Sequence, residues 1–119
     1  MLAVTGKKVN TITNGIIEDG VILIEDGKIK EIGSDVKIPN GVKTLKAEYV
    51  MPGLVEAHCH IGIWEEKIGW AGSDGNERTQ PATPHVRALD GIKANADEGG
   101  LKAALQEGIT TAQILPGSA

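Results

Sequence analysis

PGLVEAHCH, residues 52–60, sets two histidines one residue apart at the end of a short apolar run opened by a Pro-Gly pair. The run has the length and composition of a strand. In a strand, residues i and i+2 point to the same face. His58 and His60 then share a face, with Cβ atoms roughly 6–7 Å apart from two rises of ~3.3 Å. Two imidazoles so placed can converge on one ion at Zn–N distances of about 2.0–2.1 Å. Cys59 points the other way and is expected to pack behind the strand. A catalytic zinc takes three protein ligands plus water, so this pair supplies only part of a site. A polar strand end without metal would read the same way, and the flanking sequence has to decide.

Downstream, DEGGLKAALQEG (residues 97–108) reads as a helix, with Asp97 as N-cap, Leu101, Ala104 and Leu105 on one face, and Gly108 at C′. ITTAQIL (109–115) follows as a β-branched strand ended by Pro116-Gly117. Strand, helical crossover and strand make a βαβ unit, so the two strands are expected to be parallel and the crossover right-handed. Between them, residues 61–83 form a long connection with two Trp and the polar run AGSDGNERTQPAT. It leaves the C-terminal end of the first strand, where parallel α/β folds carry their sites. Long connections of this kind are usually functional or disordered. Asp74, Asn76 and Glu77 are candidates to line a site from this connection. Thr83-Pro84 is expected to open a short helix, PHVRALDGI, with Pro84 at N1. Arg87 in that segment is a candidate clamp for a substrate carboxylate, or else a structural partner of Asp90. His85 is a candidate for substrate contact or for a capping role. Trp64 and Trp70 either wall a pocket or pack the connection against the fold.

Upstream, the first fifty residues read as short strands joined by tight turns. Asn14-Gly15, Asp19-Gly20, Asp26-Gly27 and Asn40-Gly41 are turn dipeptides whose glycine tolerates φ > 0. The clearest hairpin runs from Val21 to Glu25, turns at Asp26-Gly27, and returns over 28–32. The 119 residues carry a formal net charge of −4 and no block of Lys or Arg, which argues against nucleic acid or an anionic membrane as partner. One cysteine excludes an internal disulfide and fits a reducing cytosol. No apolar run reaches membrane-spanning length. Phe is absent, so any core is built from Ile, Val, Leu and Ala.

VMPGLVEAHCH (50–60) resembles the first barrel strand of the amidohydrolase superfamily, whose pattern is Pro-Gly-apolar-apolar-Asp/Glu-x-His-x-His. GVILIEDGKIKEIG (20–33) is similar to that superfamily's N-terminal strands. EGITTAQILPGSA (107–119) resembles its second barrel strand, and GSDGNERTQPATPHVRALDGI (72–92) looks like the imidazolonepropionase-related branch. Glu56 stands where Asp is more usual and Cys59 where Thr is. The resemblance implies an α/β fold: N-terminal β-sandwich strands over residues 1–51, then over 52–119 the first βαβ unit of a (β/α)8 TIM-type barrel, incomplete in this chain.

It further implies one or two divalent metals, commonly zinc, held by His58 and His60 among other ligands. The activity implied is hydrolysis of cyclic amide or amide C–N bonds by a metal-activated water; the cytoplasmic location is expected from the cysteine usage. The other ligands and the general base of such enzymes find no counterpart in these residues. A full barrel needs about 250 residues, so the chain reads as an N-terminal part or one half of a split enzyme. Bare strand edges would then be covered by the remainder of the barrel or by a second copy. Two alternatives stay open: a dipeptidase or deaminase of the same superfamily, and a non-catalytic β-rich assembly module.

Overall fold

The structure is a computed structural model and describes residues 1–64, 66–72, 75–93 and 99–117. The chain divides into two compact units, Met1–Pro52 and Gly53–Ala119.

The first unit is a four-stranded sheet. Its strands are β1 (Leu2–Asn10), β2 (Ile16–Glu25), β3 (Lys28–Gly33) and β4 (Lys43–Val50). The order is β3-β2-β1-β4, with β1 antiparallel to β2 and parallel to β4. The hairpin read from the sequence is present. Asp26 and Gly27 both have positive φ, 52° and 74°, between the paired residues Glu25 and Lys28. Two central residues with φ > 0 define the type I′ turn, whose twist matches that of the strands it joins. A bulge after Leu23 leaves Lys30 as the extra residue on β3, and its Nζ reaches the Glu25 carboxylate at 2.6 Å.

Asp19-Gly20 corrects the sequence reading. It lies inside β2, where Gly20 pairs with Gly6. Asp19 does take a left-handed φ of 48°, but the chain runs on instead of reversing. Pairing resumes on both sides without a change of register. The glycine serves space here. A Cβ on Gly20 would come within 2.7 Å of Val9 Cγ2. Val9, Ala3 and Leu23 form the buried core, at 1%, 0% and 4% exposure. Ala3 and Leu23 are directly paired across β1 and β2.

The second unit pairs β5 (Leu54–Cys59) with β6 (Ile109–Ile114) in parallel, as expected. Helix α2 (Gly99–Gln106) precedes β6 and packs on it. It ends at Gly108, whose φ of +88° and N–H bond to the Leu105 carbonyl at 3.1 Å suit a C′ glycine. Of the expected apolar face, Leu101 and Ala104 are half-buried, whereas Leu105 is 64% exposed. Asp97, the expected N-cap, lies outside the described residues.

The expected helix from Pro84 is also corrected. The Val86 N–H bonds to the Thr83 carbonyl at 3.0 Å, closing a turn with Pro84 at its second position. Arg87 is then extended, and only one helical turn follows, α1 (Ala88–Gly91). Proline's fixed φ suits both a helix start and this turn, and the extended Arg87 backbone selects the turn. Among the described residues, no helix is long and apolar enough to cross a membrane.

Candidate metal site

The start of β5 explains the Pro-Gly pair. A Cβ on Gly53 would collide with the Thr110 side chain. Glycine therefore lets β5 open flush against β6, where the Leu54 N–H bonds to the Gly108 carbonyl at 2.8 Å. At the other end the Leu115 N–H bonds to the Cys59 carbonyl at 2.9 Å. The two strands are thus tied at both ends, and the exit of β6 lies beside the histidines.

His58 is the penultimate residue of β5, and His60 lies just beyond it. Their rings are 5.4 Å apart between centroids and perpendicular, at 89°. The main-chain N–H of His58 is held by the Glu56 carboxylate at 3.0 Å. His60 Nδ1 lies 2.8 Å from the Leu115 carbonyl oxygen. A carbonyl can only accept, so Nδ1 carries the hydrogen. In the neutral imidazole, Nε2 then keeps its lone pair. This is the arrangement in which protein ligands to metals are normally held, with one ring nitrogen tied to an acceptor and the other presented. Cys59 bonds instead across the ladder, Sγ to the Gln113 carbonyl at 3.5 Å.

Two features were not legible in the sequence. One is the Leu115 carbonyl, since every residue has one. The other is Trp64, whose indole stacks on the His60 ring at 5.6 Å and 12°. Its local trace is the His-x-Gly-x-Trp spacing, which does not by itself place an indole on His60. The Ile63 N–H bonds to the His60 carbonyl at 3.1 Å, and Gly62 has φ +81°. A left-handed third residue is what a type II turn demands, and that turn folds Trp64 back over His60. Trp70, which was expected either to wall a pocket or to pack the connection, is 93% exposed. It lies in the short 3₁₀ segment Glu66–Gly72 and neither walls a pocket nor packs the connection.

A separate cleft of about 400 Å³ gathers Asn76, Glu77, His85, Arg87 and Asp90. Ile63 and Pro116 also line it; they are the sequence neighbours of Trp64 and Leu115. Four of the five polar candidates therefore share one cleft. The fifth, Asp74, lies outside the described residues. Arg87 uses Nε and Nη2 on the Asp90 carboxylate, at 2.9 and 2.7 Å, so the structural pairing is the one observed. Hydrogen bonds from Thr79 hold the Glu77 carboxyl below the ordinary carboxylate range. Among the described residues, no group of three His, Cys, Asp or Glu side chains is placed to hold an ion. His58 and His60 stand as a pair of neighbouring rings.

No protein-family model matches the chain. Residues of this chain are 52% identical over 52 positions to a dihydroorotase of Acetivibrio thermocellus, covering 43% of this chain and 12% of that protein. An imidazolonepropionase of Salinispora tropica is 29% identical over 114 positions, covering 87% of this chain and 29% of that protein. The crystal structure of an amidohydrolase from Thermotoga maritima superposes on all of this chain with a TM-score of 0.88 and 37% identity, over 30% of its own length. The chain belongs to the amidohydrolase superfamily. As an amidohydrolase chain it is short: its match spans between about an eighth and a third of these relatives' lengths. Its two units are strand-rich α/β and match a portion of that amidohydrolase structure.

Proposed function

We propose that this chain carries the opening part of a metal-dependent hydrolase of C–N bonds, with cyclic amides or related amides as substrates. The observation that carries the reading is the His60 Nδ1–H bond to the Leu115 carbonyl, which leaves Nε2 to ligate beside the His58 ring. The names of the relatives support the reaction class. His58 and His60 would hold a divalent cation, probed first as zinc, together with ligands beyond this pair. When bound, such an ion lowers the pKa of a water to about 7 and polarises a carbonyl.

The chain's own residues then have distinct roles. Glu56 fixes the His58 backbone, and the Leu115 carbonyl sets the His60 tautomer. Asn76, Glu77, His85 and Arg87 would form the substrate-facing wall, with Asp74 in the same segment of sequence. Arg87 is held in one orientation by Asp90, with its Nη1 donors remaining for an acceptor on the substrate. The sheet of residues 1–51 is assigned to a composite sandwich and residues 52–119 to the start of a (β/α)8 barrel. The remainder of the barrel or a second chain would complete both, in a cytoplasmic enzyme.

The test uses the complete protein. Metal content is measured in the parent and in His58→Ala and His60→Ala. Cyclic amides and imidazolones are screened against dipeptides and amino-heterocycles. Stoichiometric metal lost in both variants, with turnover of a cyclic amide, is the expected outcome. Unchanged metal content in both variants overturns the ligand assignment. Turnover confined to amino-heterocycles or dipeptides reassigns the substrate class.

A further inference from the structure

Among the described side chains, Trp64 is the one laid flat on His60, and neither ligation nor the substrate-facing wall gives it a role. Three features of the chain put it there. The type II turn at Gly62 returns the backbone over His60. Gly75 then passes against the indole so closely that a Cβ at 75 would collide with Nε1 and Cδ1. Gly75 has no left-handed φ, so its lack of a side chain serves the contact with Trp64 and not the backbone. Finally, the Gly75 carbonyl accepts the Gly117 N–H at 2.7 Å, which ties this part of the connection to the exit of β6. The same exit supplies the Leu115 carbonyl.

A single hydrogen bond at Nδ1 leaves an imidazole free to rock about the bond axis. A planar group stacked at 12° removes that freedom. With both in place, the ring cannot turn without losing one of them. The Nε2 lone pair lies in the ring plane and so runs nearly parallel to the indole, which is stacked with an offset beside one face of the ring.

We propose that Trp64 is the positioning residue of the metal site: its indole, backed by Gly75, clamps the His60 imidazole against the Leu115 carbonyl and so aims Nε2 at a divalent cation. This rests on the reading of His58 and His60 as ligands, and the test separates the two. Cu²⁺ is the probe, because imidazole sites bind it most tightly among the divalent first-row ions. In Trp70→Phe, the indole on His60 is the remaining tryptophan, and Cu²⁺ should quench its emission. Calorimetry then gives Cu²⁺ affinity for the full chain in each variant.

Removing a group that orients a ligand typically lowers metal affinity about 10–100-fold. Trp64→Ala and Gly75→Ala should each weaken Cu²⁺ binding by about tenfold or more, and Trp64→Phe should restore most of it. Gly75→Ala displaces the indole without deleting it, so the inference remains testable if Trp64→Ala fails to fold. If His58→Ala and His60→Ala abolish binding while Trp64→Ala or Gly75→Ala binds Cu²⁺ as the parent does, the clamp is refuted and the ligand pair stands. If the two histidine variants bind Cu²⁺ as tightly as the parent, the ligand reading fails and the clamp with it.

Discussion

Gly53→Ala tests why β5 must open on glycine. Gly53 lacks a left-handed φ, so alanine brings no backbone strain of its own. The new methyl instead meets Thr110, overlapping Oγ1 and Cγ2 and lying 2.7 Å from Cβ. Rotating the Thr110 side chain relieves at most one of the first two contacts, because threonine has a single hydrogen to put in their place, and it cannot move Cβ. Ordinary contact begins near 3.4 Å, so the strands must part locally by about 0.7 Å. That stretches the adjacent Leu54 N–H bond to Gly108, now 2.8 Å, towards the limit of a hydrogen bond. Overpacking of this kind costs about 1–3 kcal/mol.

Trp64 and Trp70 both lie in the second unit, so urea unfolding followed by tryptophan emission reads that unit alone. With a slope of roughly 1 kcal/mol/M for so small a unit, the midpoint should fall by about 1–3 M. Thr110→Ala removes Oγ1 and Cγ2 but leaves Cβ, so Gly53→Ala/Thr110→Ala should recover part of the loss. A coupling of about 1 kcal/mol is expected, within the range for residues in contact. A neutral Gly53→Ala, or strictly additive single changes, would refute the close approach as the reason for the glycine.

Three further outcomes are expected. Val9→Ala, at a site 1% exposed, deletes two buried methyls and should destabilise the first unit by about 2 kcal/mol, at ~0.8 per buried carbon plus a cavity contribution; thermal unfolding by circular dichroism measures it. Gly108→Ala places a side chain at φ +88° and should cost roughly 1–2 kcal/mol, read by the same tryptophan assay. The hydrogen bond from Lys30 holds the Glu25 carboxyl below its ordinary range. The folded pKa is depressed, so the pair's contribution is present above the unfolded pKa and lost as pH falls through the folded one. Glu25→Gln should therefore flatten the acid limb of stability against pH, and an NMR titration placing the Glu25 carboxyl at or above its unfolded value would contradict this.

The two Glu-Asp-Gly triplets show where sequence reasoning holds and where it stops. At 25–27 the triplet sits between runs that pair with each other, and the chain reverses. At 18–20 the same three residues lie opposite β1, which pairs with β2 on both sides of them, so the left-handed Asp19 interrupts the ladder without turning the chain. A local signal gave the permitted φ; the long-range partner decided its use. The parallel pairing of β5 and β6 was legible because a long connection with a helical segment separates a short apolar run from a β-branched one. That the His58 and His60 rings lie side by side followed from strand periodicity, although His60 itself lies just past the end of β5. Pro84 was ambiguous in principle, since helix starts and turns want the same φ from proline. The contacts that orient His60 were not legible, because one is a main-chain atom and the other depends on a turn four residues long.

The Leu115 carbonyl has a consequence for how this site tolerates change. The group that orients His60 belongs to the backbone, so replacing the side chain at position 115 leaves it in place. A scan of substitutions there would report a permissive position and miss its role. What would disturb the ring is a displacement of the strand: one residue gained or lost in β6 carries a different carbonyl past His60. The site is therefore guarded by the length of a strand, and insertions in residues 109–115 should harm it where substitutions do not.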